Sequence, residues 1–468
     1  MLWWQVHDRD APELVRGVAD QAVLDRGSRV GDVARGYVPG GTLIDVPYTE
    51  PSRRVAETER ALAAGAKTLY EASFFEDGVF VAVDILSRTR GGWALTEVKS
   101  TTKVKPEHLP DAAVQTHVLR RAGIPVQRVE LMHLDRECRF PDLSNLFYRA
   151  DVTAAVEELV PSVAAEARRQ LKMLAGSLPS VETGEHCYSP YECPFIGRCW
   201  APAPEHHVST LYNVRRKRAA ELVEEGYETI RDLPADLELS EIADRQRRSV
   251  QAGEVIVESG LLEALSALRG PVAYLDFETV GLAIPIWPGC RPYDAVPAQL
   301  SCHVESKPGV VRHHEWIAGG PADPREPLAR ALIEAVRGAQ TIAAYYAPFE
   351  KGCIEHLRDN LPQLAGELDD VLTRLVDLLP IVRDHVYHPD FGGSFSLKRV
   401  APALVGGAGY ETLDVAEGGT ASAELERLMF DESLSDAERA KLKASLLAYC
   451  KLDTQGLVEL AKKLRALA

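Results

Sequence analysis

Val272-Ala273-Tyr274-Leu275-Asp276-Phe277-Glu278-Thr279 is an apolar run that ends in two acids spaced two residues apart. A short apolar run of this length reads as a buried β-strand. Side chains alternate across a strand, so Asp276 and Glu278 fall on one face. Two carboxylates on one buried strand repel each other and raise each other's pKa unless a cation sits between them. The arrangement costs stability, which points to function; the alternative is an exposed strand end. Towards the C-terminus, Tyr449-Cys450-Lys451-Leu452-Asp453 places Tyr449 and Asp453 at i and i+4, on one helix face. That helix opens with a capping box, Ser435-Asp436-Ala437-Glu438. Between the two acidic segments, the strand Thr341–Ala344 leads into a helix that carries Glu350 in its first turn, a favourable place for an acid.

The 468 residues set a prior of two to four domains. With 46% hydrophobic and 26% charged residues, the composition is that of a globular chain, not a disordered one. No run of 18 or more apolar residues occurs, so no membrane-spanning helix and no membrane partner are expected. Met1–Asp10 lacks the basic region, apolar stretch and cleavage site of a signal peptide, and residence in the cytoplasm is the expectation. Fifty-three basic against 69 acidic residues give a formal charge of −16. Nucleic acid would then be met through local basic patches or carboxylate-held metal ions, not through the overall field. Pattern and composition divide the chain into 1–200, a helical connector 201–270, and 271–468, the first and last of mixed α/β character.

In the first stretch, Val79–Leu86 and Trp93–Lys99 read as strands separated by Gly91-Gly92. A helix Leu109–Ala122 ended by Gly123 and a strand Arg128–Leu134 follow. Asp84 at the end of one strand and Glu97-Val98-Lys99 on the next can converge on one divalent cation, with Lys99 supplying charge to hold a phosphate or orient water. Gln115 on the following helix can add a hydrogen bond. The alternative is a strand-end turn residue beside a surface ion pair.

Cys187, Cys193 and Cys199 stand in C-x5-C-x5-C, unlike the C-x2-C knuckles of zinc sites and more consistent with three ligands of a [4Fe–4S] cluster. The alternative is three cysteines packed as small hydrophobes. Arg215, Arg216, Lys217 and Arg218 form the densest positive run, read as a phosphate-contacting patch or as a solvated helix face.

Leu69–Phe74, Val83–Leu86, Glu97–Thr102 and Asp111–Gln115 together resemble the RecB-like branch of the PD-(D/E)XK nucleases, including the iron–sulfur nucleases of CRISPR adaptation. The resemblance covers about 55–200. It implies a restriction-endonuclease-like domain, with Asp84 and Glu97 as metal ligands, Lys99 as the catalytic lysine and Gln115 as a further motif residue. Glu59 would stand for an upstream acid. In those relatives a fourth cluster cysteine lies near the N-terminus. Here no cysteine precedes Cys138 and the chain starts at Leu2-Trp3-Trp4, so the expectation is a sequence that begins late, with His186 or Cys138 as substitute ligands.

The Asp276-x-Glu278, Glu350 and Tyr449-x3-Asp453 segments resemble the DnaQ-like 3′–5′ exonucleases of the ribonuclease H-like fold, in their tyrosine-bearing branch. Asp276, Glu278, Glu350 and Asp453 would hold two Mg²⁺ or Mn²⁺ ions, and Tyr449 would orient the attacking water. Gly289–Asp294 with Pro297–Ser301, and Gly392–Lys398, resemble an uncharacterised domain of that superfamily fused behind RecB-like nucleases in bacteria. The chain departs from the pattern at Glu350, where Asp is usual, and at Tyr346, where Asn is usual. Lys398 reads as a phosphate grip or a solvated loop lysine. The expected function is metal-dependent hydrolysis of phosphodiester bonds in nucleic acid, DNA before RNA. The alternative is an end-binding or scaffold protein with inactive sites.

Overall fold

The computed structural model describes residues 1–406 and 418–468. The chain has mixed α/β structure and divides into two compact units, Met1–Ala201 with Gly281–Asp294, and Pro202–Val280 with Ala295–Ala468. No helix among the described residues is long and apolar enough to cross a membrane.

The first unit holds a six-stranded sheet in chain order: β1 (Thr42–Leu43), β2 (Thr68–Glu76), β3 (Val79–Arg88), β4 (Trp93–Lys99), β5 (Val126–Leu134) and β6 (Phe147–Asp151). β2, β3 and β4 run antiparallel, whereas β4 and β5 are parallel. A parallel pair needs a long crossover, and the helix His108–Arg121 supplies it. β3 extends two residues beyond the pattern reading, so Asp84 sits inside the strand and not at its end. Leu69, Val83, Leu95 and Val129 of the sheet pack against Ala112, Ala113, Val118 and Leu119 of the crossover helix.

The loop Gly281–Asp294 belongs to this unit although its chain neighbours do not. Ala283 packs with Val30, Leu134, Cys138 and Leu146. The backbone of Phe140 accepts from Gly289 N at 2.9 Å and donates to Cys290 O at 3.0 Å. The stretch read as 271–468 is therefore interrupted where this loop leaves it.

The second unit contains β7 (Ile256–Val257), β8 (Val272–Val280), β9 (Val296–Lys307), β10 (Val310–Ile317), β11 (Thr341–Ala344), β12 (Leu375–Asp377) and β13 (Val386–Tyr387). Its main sheet has the order β10-β9-β8-β11-β12, with β8 antiparallel to β9 and parallel to β11. β8 is buried on both faces. Ala273, Leu275 and Phe277 pack with Leu328, Leu332, Ile354 and Leu357. Val272 and Tyr274 pack with Leu457, Leu460 and Leu464 of the long C-terminal helix Asp436–Leu467. Alternation carries Asp276 and Glu278 onto that helix's side.

The segment read as a separate connector packs with this unit: β7 pairs with β13. Gly393, at φ +81°, lets the chain approach so closely that an added Cβ would lie 1.9 Å from Thr210 O.

Ala283 is 5% exposed in an apolar cluster. An uncompensated charge in such a place costs on the order of 3 kcal/mol. Ala283→Asp is therefore expected to lower the melting midpoint of the first unit, followed by circular dichroism; an unchanged midpoint would remove the loop from that core.

Candidate active sites

In the first unit, Lys99 Nζ donates to Glu97 Oε1 at 2.8 Å and to Asp111 Oδ2 at 2.6 Å. Gln115 Nε2 donates to Glu97 Oε2 at 2.8 Å, and Val98 N to Asp84 Oδ2 at 2.6 Å. Burial and then the neighbouring Glu97 push Asp84 well up; burial also raises Glu97, against the pull of Lys99. Burial works to deprotonate Lys99, but Glu97 and Asp111 outweigh it and keep the ammonium charged. Asp84, Glu97, Lys99 and Gln115 thus form one neighbourhood; the Glu97–Lys99 ion pair of the alternative reading is present, but Glu97 is buried and Asp84 is not at a strand end.

Two acids join them that the sequence reading did not single out. Asp111 holds Lys99, and Glu71 raises the Asp84 carboxyl. Glu71 sits at φ +60° on β2, between the ladder pairs Tyr70–Ile85 and Ala72–Val83. It is ion-paired to Arg35 at 3.1 Å and to Arg54 at 3.3 Å. A positive φ at a non-glycine residue is a structural signal with no sequence trace. Glu59, by contrast, lies exposed on the helix Pro51–Ala63.

In the second unit, burial and then Asp453 push Asp276 up to about 8. Glu278 is raised well above its ordinary value by burial, then by Asp276 and Asp453. Burial and Asp276 push Glu350 up to about 9, with Asp377 adding to the effect. Asp276, Glu278, Glu350 and Asp453 thus lie within reach of one another's fields. Cys450 Sγ donates to Asp276 Oδ2 at 3.1 Å. Lys398 is not in a loop but in the first turn of the helix Leu397–Val405, with Nζ 4.9 Å from the centre of the buried Tyr449 ring. Tyr346, at φ +69°, donates its backbone N to Asp377 Oδ1 at 3.0 Å. Asp377, whose carboxylate also caps the following helix, was missed because a helix cap gives the same sequence signal.

Among the described residues, no three His, Cys, Asp or Glu side chains stand gathered as ligands of a single ion. The donor chemistry nonetheless fits a hard divalent ion: the acids are oxygen donors, and Glu350 Oε2 and Gln115 Oε1 are buried without a hydrogen-bond partner.

Cys187, Cys193 and Cys199 line one cavity of about 350 Å³ together with Met1, Trp3, Trp4 and His186. The N-terminal helix Leu2–His7 is held beside it: Trp3 Nε1 donates to Gly176 O at 3.1 Å, and Arg198 pairs with Asp8 at 2.8 Å and Glu13 at 2.6 Å. Cys138 is elsewhere, buried with Leu134 and Leu146, and does not line the cavity. Arg215, Arg216 and Lys217 are exposed at the start of the helix Arg216–Glu224, whereas Arg218 is engaged with Glu221 and Glu225.

Residues 273–396 match a family described as a domain of unknown function (DUF2779). The match begins on β8, takes in the loop Gly281–Asp294 and Glu350, and stops before Lys398, Tyr449 and Asp453. No curated protein matches the chain.

The folded-state pKa values of Asp276 and Glu350, about 8 and about 9, lie above those of unfolded carboxyls near 4. Between these limits the native chain binds more protons than the unfolded one, so these groups make stability fall as pH rises. Cation-free protein is expected to melt lower at pH 9 than at pH 6, and Glu350→Gln should flatten this dependence. Added Mn²⁺ should restore the wild type at pH 9 but restore the variant less. Parallel pH profiles of the two proteins in thermal melts would contradict this electrostatic account.

Proposed function

We propose that the protein is a metal-dependent nuclease with two hydrolytic sites, acting on nucleic acid and on DNA in particular. The first unit would be a PD-(D/E)XK-type domain and the second a ribonuclease H-like 3′–5′ exonuclease acting in the cytoplasm. The observation that carries this reading is the electrostatic coupling of Asp276, Glu278, Glu350 and Asp453, buried or half-buried acids from three distant segments, with Tyr449 one turn before Asp453 on the same helix.

When bound, Mg²⁺ or Mn²⁺ supplies charge neutralisation at the phosphate and lowers the pKa of water. The residues provide the rest. In the second unit Asp276, Glu278, Glu350 and Asp453 would hold the ions. The Cys450 thiol orients Asp276 through its hydrogen bond, as outer partners orient ligands generally. Tyr449 would position the attacking water, and Lys398, lying over the Tyr449 ring, brings a cation towards the substrate phosphate. Water gives up one proton as its oxygen bonds to phosphorus, the bridging P–O bond breaks, and the leaving oxygen gains a proton in its place.

In the first unit Asp84 and Glu97 would be the ligands. Lys99, held charged by two carboxylates, would stabilise the charge that develops on the phosphate. Gln115 fixes one Glu97 oxygen. Exposed Arg215, Arg216 and Lys217 would contact backbone phosphates. The three cysteines would hold an iron–sulfur cluster in their shared cavity.

Purified protein with Mn²⁺ is expected to degrade labelled single-stranded DNA. Losing a ligand that stabilises transition-state charge by several kcal/mol lowers a rate about 10³-fold. Asp276→Ala and Glu97→Ala should each remove a separable part of the activity to that extent. If neither changes turnover while DNA still binds, the end-binding scaffold reading replaces this one. Anaerobic reconstitution with iron and sulfide should give a brown protein whose colour is lost in Cys193→Ala; colourless, iron-free wild type would reject the cluster.

A further inference from the structure

The loop Gly281–Asp294 leaves the second unit's sheet at the end of β8, the strand of Asp276 and Glu278, and returns at the start of β9. The proposed reaction gives it no task, yet it is built with care. Tyr293 N donates to Leu282 O at 2.8 Å and closes its base. Its tip is a tight turn, Arg291-Pro292-Tyr293-Asp294, in which Asp294 N donates to Arg291 O at 3.2 Å. The Asp294 carboxylate accepts from Arg291 N at 2.9 Å and from Arg291 Nε at 3.2 Å.

Proline at the second position and a positive φ at the third are the marks of a type II turn, whose third position favours glycine. Here that position is Tyr293, at φ +62°. A bulky side chain in the left-handed region is strained, and such strain persists where surrounding contacts over-determine it.

The contacts in this case lead to the first site. Tyr293 Oη donates to the backbone carbonyl of Ser100 at 2.5 Å, one residue beyond Lys99. Ile284 and Tyr293 also pack in the apolar cluster that contains Val98. Val98 lies between Glu97 and Lys99 and points to the opposite face of β4 by strand alternation. Its amide is also the group that holds Asp84. The loop thus supports from behind the short segment that presents Glu97, Lys99 and the Asp84 hydrogen bond.

We propose that Tyr293 is a positioning residue of the first site, fixing the backbone at Ser100, just past the end of β4, so that Lys99 and Glu97 stay aligned. The inference rests on the nuclease reading of that site. It also gives the Gly289–Asp294 motif a role: this segment of the first unit, inside the DUF2779 match, braces the residue that follows β4.

The test uses the full chain with the second site silenced by Asp276→Ala, so that the remaining turnover is that which Glu97→Ala removes. Tyr293→Phe deletes only the hydroxyl, and Tyr148→Phe, an exposed tyrosine of β6, is the control. Displacement of a catalytic group by a fraction of its reach lowers turnover about 10–100-fold. Tyr293→Phe is therefore expected to lower kcat by that factor with KM unchanged, and to speed amide hydrogen exchange at residues 98–102 alone. The control should change neither. Unchanged exchange at 98–102, or faster exchange with unchanged kcat, overturns the positioning role. A drop in kcat matched by a fall in the global melting midpoint, with exchange faster throughout the first unit, overturns it in favour of a general stabilising role. Should the Asp276→Ala parent show no turnover that Glu97→Ala removes, the nuclease reading of the first site fails by itself; exchange at 98–102 then still decides whether the loop holds the strand.

Discussion

Carboxylates of like sign, buried around one strand, are the constraint on which the second unit depends. β8 is apolar on both faces until Asp276, and the acids that follow are committed to the side where the C-terminal helix lies. Their repulsion has to be offset by packing elsewhere and by a helix that cannot drift away. Thr454, next to Asp453, meets this need through a buried polar set. Its hydroxyl lies 2.7 Å from Ser301 Oγ and 2.8 Å from His303 Nδ1, and Gln299 donates to Leu446 O at 2.7 Å. Burial, then the nearby His313 and Lys451, press His303 down to about 4, so it serves as a neutral hydrogen-bonding ring near neutral pH. Satisfied buried polar groups of this kind specify one arrangement of the elements they join.

The first unit handles its acids differently. Lys99 bridges Glu97 and Asp111, Gln115 and the Val98 amide take further oxygens, and Glu71 is matched by Arg35 and Arg54. Charge there is largely balanced by the chain itself. In the second unit Cys450 is a weak donor, and Glu350 keeps an unpartnered oxygen. The two sites therefore differ in how much a divalent ion would change their electrostatics, with the larger effect expected where acids outnumber bases.

Much of this was legible beforehand. β4 and β11 fall where alternation and turn signals place them, and the capping box at Ser435 and Glu438 forms as read. Local rules suffice there because strand period and helix capping act over a few residues. β2, β9, β10 and β12 escaped: β12 is short and β10 largely exposed, whereas β2 and β9 carry buried polar residues such as Ser73, Gln299, Ser301 and His303 that blur an apolar strand pattern. Lys398 was open between phosphate grip and loop because its helix begins only one residue earlier. Asp111, Asp377 and Glu71 carry no local signal of a site, and only their neighbours mark them.

The sequence by itself determined which residues carry chemistry along each element, because side-chain direction within a strand or helix follows from fixed periods. Tertiary structure alone decided what those faces meet: that Glu71 lies beside Asp84, that Thr454 binds His303, and that a loop leaving one sheet packs within the other unit. Such meetings are set by long-range packing and by backbone conformations such as the positive φ of Tyr293 and Glu71, which no local spacing records.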